Sequence, residues 1–350
     1  MSPVDPVIFD GVSAREETIL VDVLDGSRNV IGTVRPATGQ AARLSVNGLG
    51  RFTRTLTGLT LDASDSAALN VASDRLRPSW VIDGTSYPLG VFLIGDDRRF
   101  LSTRPLTTEK GWVDEQQIVA QSTETTLALG AGTLIAATLA DILGALLPDV
   151  QVDASSAVLT QSVAWPAGTD RSQIIASLCA SAGFLPPYTD NQGTYRCVTA
   201  PDLDTVPPDF VYQSGSVIVD QSRTEADAWL DTPNRYIVIN TGATAGSVVG
   251  IFDVPAAAPY SVAARGFPVT QVIEQQGVLD FIAAQQAARA AYVAASSQFT
   301  TGFFDTPMIP THDVWNVVQV GASDLWLEVG WSVALRAGAI QQHQLRRIYR

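Results

Sequence analysis

Leu325-Trp326-Leu327-Glu328-Val329-Gly330-Trp331-Ser332-Val333-Ala334-Leu335 is the stretch on which the fold reading turns. Leu325, Leu327, Val329, Trp331, Val333 and Leu335 are all apolar, while Trp326, Glu328, Gly330, Ser332, Ala334 and Arg336 occupy the positions between and after them. Side chains alternate between the two faces of a strand, so this period of two predicts a long strand with one buried face. Neighbouring segments extend the pattern. Val314–Val320 reads as another strand, and Tyr236-Ile237-Val238-Ile239 as one with both faces apolar. The end of the chain, Leu345-Arg346-Arg347-Ile348-Tyr349-Arg350, is basic and reads as a solvated tail.

The first 125 residues are also β in character. Ile19–Leu24 and Val30–Val34 are separated by the turn signal Asp25-Gly26. Phe52–Leu61 alternates in part. Trp80-Val81-Ile82 meets a second hairpin dipeptide, Asp83-Gly84, and the chain returns through Tyr87 to Val91-Phe92-Leu93-Ile94, an apolar run that predicts a strand buried on both faces. The pattern predicts a compact barrel or sandwich.

Between about 126 and 205 the period changes. Leu134, Ile135, Leu139, Ile142, Leu143, Leu146 and Leu147 follow a helical stripe, predicting a helix from about Thr133 that Pro148 stops. A membrane span over Leu127–Leu147 is disfavoured, because Asp141 at its centre costs roughly 2.5–3.5 kcal/mol and Gly130, Gly132 and Gly144 weaken the helix. A second helix runs from about Asp170, spaced as an N-cap, to Ala182, with Gly183 placed to end it. Its stripe contains Cys179, read as a small buried hydrophobe. Tyr188, the turn Asp190-Asn191-Gln192-Gly193 and Tyr195–Val198 form a short hairpin, and Pro201, Pro207 and Pro208 a linker. Further on, the Ala-rich segment 278–295 is helical, with Leu279, Ile282, Ala283, Ala290 and Val293 on one side.

Composition bounds the function. The 350 residues carry 22 basic and 35 acidic side chains, a net charge of −13, so a grip on nucleic-acid phosphates or an anionic membrane is disfavoured. Only 16% of residues are charged, against about 25% in ordinary soluble domains, which points to surface covered by partners. Lys110 is the one lysine. Arginine suits buried, bidentate contacts, although GC-rich coding would give the same bias without physical cause. Two cysteines, Cys179 and Cys197, argue against a disulfide scaffold and for a reducing assembly compartment, and the N-terminus lacks the pattern of a signal peptide. Length implies two or three domains.

The inventory of reactive groups is thin. His312 and His343 are the only histidines, and His312-Asp313 reads as a polar turn before a strand. No GxSxG, HExxH, paired CxxC, EF-hand or GxxxxGK[ST] motif occurs, so no catalytic, cofactor-binding or metal residues are assigned. The close carboxylate pairs Asp62/Asp65, Asp96/Asp97 and Asp202/Asp204, with seven Trp and eight Tyr, leave open a polysaccharide-active or carbohydrate-binding protein.

Four segments in order carry a resemblance: Asp74-Arg75-Leu76-Arg77-Pro78-Ser79-Trp80-Val81-Ile82-Asp83-Gly84 with Pro88-Leu89-Gly90-Val91-Phe92; Gln173–Phe184 with its Gly183, followed by Asp190–Arg196 around Gly193; Asn234-Arg235-Tyr236-Ile237-Val238; and Pro310-Thr311-His312-Asp313-Val314, where His312 stands in place of a glycine. Together they resemble the baseplate or tail-tip hub proteins of long-tailed bacteriophages, in particular minor tail proteins of siphophages infecting actinobacteria. The resemblance implies a mainly β fold with an α/β insert, baseplate-hub-like: a tube-like β-barrel over 1–125, a small α/β domain with two helices and a hairpin over 126–206, and a second tube-like barrel over 207–350. Part of 241–300 would pack with the α/β domain. It marks Asp74, Arg75, Arg77, Pro88, Gly90, Gly183, Gly193, Asn234, Arg235 and Asp313 as structural positions. It implies a non-enzymatic homotrimer that closes the tail tube of the virion, assembled in the host cytoplasm. Its partners would be the distal tail protein or tube, the tape measure protein and tip or fibre proteins. DNA would pass through without specific binding, with acidic residues lining the lumen, and no cofactor or membrane insertion would be needed. A hexameric distal-tail adaptor is the alternative within the same machine.

Overall fold

The computed structural model describes residues 15–34, 42–62, 65, 68–70, 72–100, 107–212, 224–240, 248–275, 281–295 and 300–350. The N-terminal stretch forms β1 (Glu17–Leu24), β2 (Val30–Val34), β3 (Arg43–Asn47), β4 (Arg54–Asp62), β5 (Arg75–Ile82), β6 (Thr85–Pro88), β7 (Phe92–Phe100) and β8 (Thr107–Asp114), followed by the short helix α1 (Gln116–Val119). Next come β9 (Leu127–Leu129), α2 (Ile135–Gly144), β10 (Val150–Val152), β11 (Val163–Trp165), α3 (Arg171–Ser181), β12 (Tyr188–Thr189) and β13 (Tyr195–Cys197). The remainder holds β14 (Phe210–Tyr212), β15 (Thr224–Asp227), β16 (Arg235–Asn240), β17 (Val248–Asp253), α4 (Val262–Arg265), β18 (Thr270–Gln275), α5 (Phe281–Val293), β19 (Thr300–Pro307), β20 (Val317–Val320), β21 (Asp324–Ala334) and β22 (Ile340–Ile348).

The fold is mainly β with an α/β insert. Fourteen strands make one sheet in the order β15-β19-β22-β21-β3-β4-β8-β7-β5-β1-β2, with β20 beside β21, β14 beside β20 and β6 beside β5. The two ends of that path, β15 and β2, do not pair with each other among the described residues. β21 is the strand that spans both β-rich stretches. Along one edge it pairs with β20 through Asp324–Leu327 and then with β3 through Gly330–Ala334, while β22 lies along the other edge.

That sharing changes the reading of the 325–335 strand. One face, Leu327, Val329, Trp331 and Val333, enters the largest core as expected. The first half of the other face is buried too: Trp326 lies in a separate core with Tyr212, Phe304, Ile309, Val318 and Leu345, and Glu328 is fully enclosed, whereas Ser332 and Ala334 are half-buried. Tyr212 of β14, Phe304 of β19 and Ile309 cover that first half. The basic tail is likewise not a solvated end. Arg346 is 3% exposed, donates to the carbonyls of Tyr292 and Val293, and lies 4.4 Å from the centre of the Tyr292 ring.

The insert has its own apolar core, in which α2 and α3 contribute Ile135, Leu139, Leu143, Ile174, Ile175, Leu178 and Cys179 against Tyr195 and Cys197 of β13. Both thiols are free and buried, and burial raises the Cys179 thiol well above its ordinary value. α2 is shorter than its stripe predicts, and Asp141 is exposed. Among the described residues no helix is long and apolar enough to cross a membrane. Asp170 caps α3 by accepting from the Ser172 amide at 2.8 Å, and Gly183 follows the helix with φ +74°.

A third unit, the sheet β17-β16-β18, is covered by α5. α5 buries Ala283, Ala284, Ala287, Ala288, Ala290, Tyr292 and Val293, whereas Ile282 faces solvent, 66% exposed, against expectation. Leu279 lies outside the described residues. The helix meets the sheet through its alanines because Gly250 admits its backbone; a Cβ on Gly250 would lie 2.4 Å from the carbonyl carbon of Ala284. Large side chains cannot enter so close a contact, so they turn outward.

Candidate functional site

Among the described residues, buried polar groups gather at the junction where the insert meets the large sheet. Arg54, the first residue of β4, has no exposed surface. Its Nε donates to the carbonyl of Thr189 at 3.1 Å, Nη1 to that of Leu89 at 3.4 Å, and Nη2 to the Asp313 carboxylate. Three chain segments are thereby tied to one guanidinium. The Arg54 amide donates to Asp114 Oδ2 at 2.8 Å, and Asp114 also accepts from Thr189 Oγ1 at 2.7 Å and the Gln116 amide at 3.2 Å. Burial pushes the Asp114 carboxyl up to about 6, against the pull of these donors. Burial also raises Asp313, opposed by Arg54.

The 190–193 turn is gripped from two sides. On one, the Asn191 amide donates to Asp313 Oδ2 at 3.1 Å, and its side-chain Nδ2 to the carbonyls of Pro310 and His312 at 3.1 and 2.9 Å. On the other, Arg28 donates to the Gly193 carbonyl at 2.7 Å and also contacts Glu115 and Asp149. Glu115, 1% exposed, receives Arg75 Nε at 2.6 Å. Gly193 has φ +84°, and a Cβ there would lie 2.6 Å from Val91 Cγ2, so the turn accepts no other residue without moving β7's approach.

Of the positions marked by the resemblance, the structure brings Arg75, Gly90, Gly193 and Asp313 to this junction; Gly90 lies directly against the Arg54 side chain. Asp74 closes a local turn, accepting from the Asn70 amide at 2.8 Å, and Arg77 pairs with Asp22 of β1 at 2.7 Å. Pro88 ends β6 opposite Ser79. The other three lie elsewhere. Gly183 faces Gln286 of α5. Asn234, fully buried, donates to the carbonyls of Tyr260 and Phe267 and accepts from the Val269 amide at 2.7 Å. Arg235 makes a two-pronged contact with Asp253 at 2.6 and 2.7 Å. Sequence reasoning missed Arg28, Arg54, Asp114, Glu115 and Glu328. The run Asp114-Glu115-Gln116 after Trp112-Val113 is a local polar signal, and nothing in it announces burial.

His312 is not a polar turn residue. It is fully buried, and the left-handed backbone of this turn falls at Trp315, φ +71°, so no glycine is needed at position 312. His312 Nδ1 lies 2.5 Å from Glu328 Oε2, and His343 Nδ1 lies 2.6 Å from Glu328 Oε1. The outer nitrogens meet hydroxyls, His312 Nε2 at 2.7 Å from Tyr212 and His343 Nε2 at 2.8 Å from Thr306. Phe210 stacks on His312 and Phe304 on His343. Burial would raise Glu328, but the two imidazoles outweigh it and hold the carboxyl below its ordinary value; burial lowers His343.

Among the described residues these three offer the one grouping of nitrogen and carboxylate donors within 4.8 Å of one another. Two ligands of one zinc ion, each about 2.1 Å from it, stand roughly 3 Å or more apart. The observed separations are those of hydrogen bonds instead, and every ring nitrogen already has a partner. The cluster is a closed hydrogen-bond network.

Carbohydrate chemistry finds little support in these groups. Asp202 caps its own turn by accepting from the Asp204 amide at 3.0 Å and pairs with Arg289. The side chains of Asp62, Asp96 and Asp97 lie outside the described residues. Trp80, Trp112, Trp315, Trp326 and Trp331 are buried, Trp165 is half-buried, and Trp229 is an exposed indole. An open cleft between residues 123–127 and α2 and α3 holds none of the buried polar groups.

No family model matches the chain, and no curated protein matches it. Solved structures do. The tail protein from Neisseria meningitidis aligns at 13% identity with a TM-score of 0.62, covering 95% of this chain and 98% of that one. The 43 kDa tail protein of prophage MuSo2 from Shewanella oneidensis aligns at 14% with a TM-score of 0.62 and the same coverage. A prophage tail protein from Listeria monocytogenes aligns at 9% with a TM-score of 0.55, covering 93% of this chain and 94% of that one. At these identities the likeness is one of fold.

Proposed function

We propose that this chain is a structural, non-enzymatic protein of a phage-type tail, and that it forms a trimeric hub ring closing the tail tube at the tip of a siphophage virion. The observation that carries this reading is fold likeness over essentially the whole length of two tail proteins, 95% of this chain against 98% of each. In this reading residues 1–125 and 207–350 supply two tube-like barrels per subunit, so that three chains present six to a hexameric tube, and 126–206 lies outside the ring. The partners are the tube or distal tail protein, the tape measure protein and tip or fibre proteins. DNA passes through a lumen lined by part of the acidic excess, and assembly takes place in the cytoplasm of an actinobacterial host.

Surface chemistry supports assembly. Val30 and Ile31 on the edge strand β2 are 53% and 57% exposed, and Leu230, Phe267 and Val272 are 85%, 57% and 54% exposed. Apolar side chains left in water on several sides suit a chain that partners cover. Native mass spectrometry of the purified protein, with class averages of the same sample by electron microscopy, tests the reading. Three chains per ring are expected. Six would transfer the chain to the distal-tail adaptor role, and a monomer at all accessible concentrations would overturn both.

A further inference from the structure

His312 and Asp313 are neighbours on the 309–316 loop, and their side chains serve different sides of it. The imidazole enters the His312–Glu328–His343 network inside the sheet, while the Asp313 carboxylate takes Arg54 and the Asn191 amide at the insert junction. The loop's carbonyls at Pro310 and His312 hold the Asn191 side chain as well. The buried network and the grip on the insert's 190–193 turn thus meet on one loop.

We propose that the His312–Glu328–His343 network is a proton-sensitive latch on the 309–316 loop, and that acidification opens it and releases the Asn191 turn of the insert from the sheet.

The geometry fixes where the protons go. Both Nδ1 atoms lie within 2.6 Å of a carboxylate oxygen, so both carry hydrogen and donate to Glu328. Each Nε2 then accepts from the hydroxyl beside it, Tyr212 from β14 or Thr306 from β19. The closed network is one carboxylate with two neutral rings, and on the rings the sites left for protons are the two Nε2 lone pairs, each already engaged by a hydroxyl. One added proton cancels the carboxylate charge but forces a hydroxyl to turn from donor to acceptor. A second leaves a net positive charge in a site whose every member is buried. Opening lets water solvate both imidazolium ions, so the open state takes up more protons than the closed one.

The other titratable groups facing the rings are Glu328 from β21, Tyr212 from β14 and, at longer range, Asp305 from β19. Burial lowers His343 and the rings hold Glu328 low, so both lose stabilisation as the pH falls, His343 from about 6.5 downward and Glu328 below about 4.5. Asp313 has the opposite sign, since burial raises it in the closed junction, and it subtracts from the net uptake.

Hydrogen exchange on the intact chain, corrected for the intrinsic rate at each pH, reads the latch. Between pH 7.5 and 5 the opening of amides in 309–316 and 189–193 is expected to rise, by about tenfold per pH unit for each proton taken up net. The β1–β5 ladder and the α2–α3 core should keep their protection. In His343→Gln the slope should fall, because one site for a proton is gone. Should that variant misfold, nitrogen NMR of the unaltered protein decides, with both rings expected in the Nδ1–H form at pH 7.5 and the His343 ring gaining its proton as the loop opens. Flat loop exchange across this range would overturn the proposal. So would equal opening of the β1–β5 ladder, rings in the Nε2–H form, or a stoichiometric metal ion whose removal by a chelator produces the same opening at pH 7.5.

Discussion

Asp114 offers the cleanest quantitative test of the junction. Burial pushes its carboxyl up to about 6, from an ordinary value near 3.8, because desolvation disfavours its charge more than three donors favour it. The sign follows from linkage. Between the two values the folded chain holds a proton that the unfolded chain has lost, so this group's contribution to stability is greatest in acid and falls as the pH rises through 6. The full span is about 3 kcal/mol, and most of it falls between pH 4 and pH 7. Asp114→Asn removes the titration while leaving one acceptor oxygen for the Arg54 amide and Thr189. Urea unfolding of both proteins at pH 4, 5, 6 and 7 gives the difference in stability at each pH, and every other titrating group, the histidine network included, cancels in that difference. Relative to the variant, the natural protein should lose roughly 2–3 kcal/mol from pH 4 to pH 7. A pH-independent difference would refute the assignment of a desolvated carboxyl at this position. A difference of the opposite sign would mean that the donors around Asp114 dominate its burial.

Arg54→Met should cost about 3–5 kcal/mol, because it strands the Asp313 carboxylate beside two carbonyls that lose their donor. Adding Asp313→Asn should recover part of that, and a strictly additive pair in denaturant titrations would show that the two side chains do not interact. Gly193→Ala should lower stability by more than about 2 kcal/mol through its left-handed backbone and its clash with Val91, whereas Gly130→Ala, with open space at its Cβ, should stay within roughly 0.5 kcal/mol. Leu230→Asp should leave the melting temperature unchanged, since this side chain is 85% exposed, yet shift the chain toward monomer in native mass spectrometry if the surface around it is covered in the ring.

Local chemistry was legible wherever one segment settles its own conformation. Asp83-Gly84 forms the hairpin turn its sequence predicts, with φ +49° and +79°, and Asp170 and Gly183 bound α3. The α/β insert and most strands follow from period and punctuation alone. What a single period cannot carry is which second surface arrives from elsewhere in the chain. Glu328 occupies a polar position of a period-two strand, and only the arrival of His312 and His343, contributed by a loop and by β22, turns that position into an interior one. Arg54 stands among threonines at the start of β4 and reads as a surface residue, yet its acceptors come from positions 89, 189 and 313. The exposure of Ile282 on α5 has a related cause: a close backbone approach puts Ala283, Ala284 and Ala287 against the sheet and leaves this larger side chain in water.

These contacts also decide between two explanations of the arginine bias. GC-rich coding accounts for the bias in number but not for where the arginines sit. Arg54, with no exposed surface, distributes one charge over a carboxylate and two carbonyls on three segments. Arg28 does the same for Glu115, Asp149 and Gly193, and Arg346 joins β22 to the end of α5 while covering Tyr292. An ammonium group buried to this degree loses its proton readily and lacks the planar fork that reaches several acceptors at once; a guanidinium keeps its charge. Part of this chain's scarce charge is thus used inside it, binding the insert and the last strand to the sheet. Low charge density alone then says less about partners than it first suggests. The stronger sign is the set of large apolar side chains that this internal use of charge leaves in water, on β2 at one side and around Leu230, Phe267 and Val272 at another.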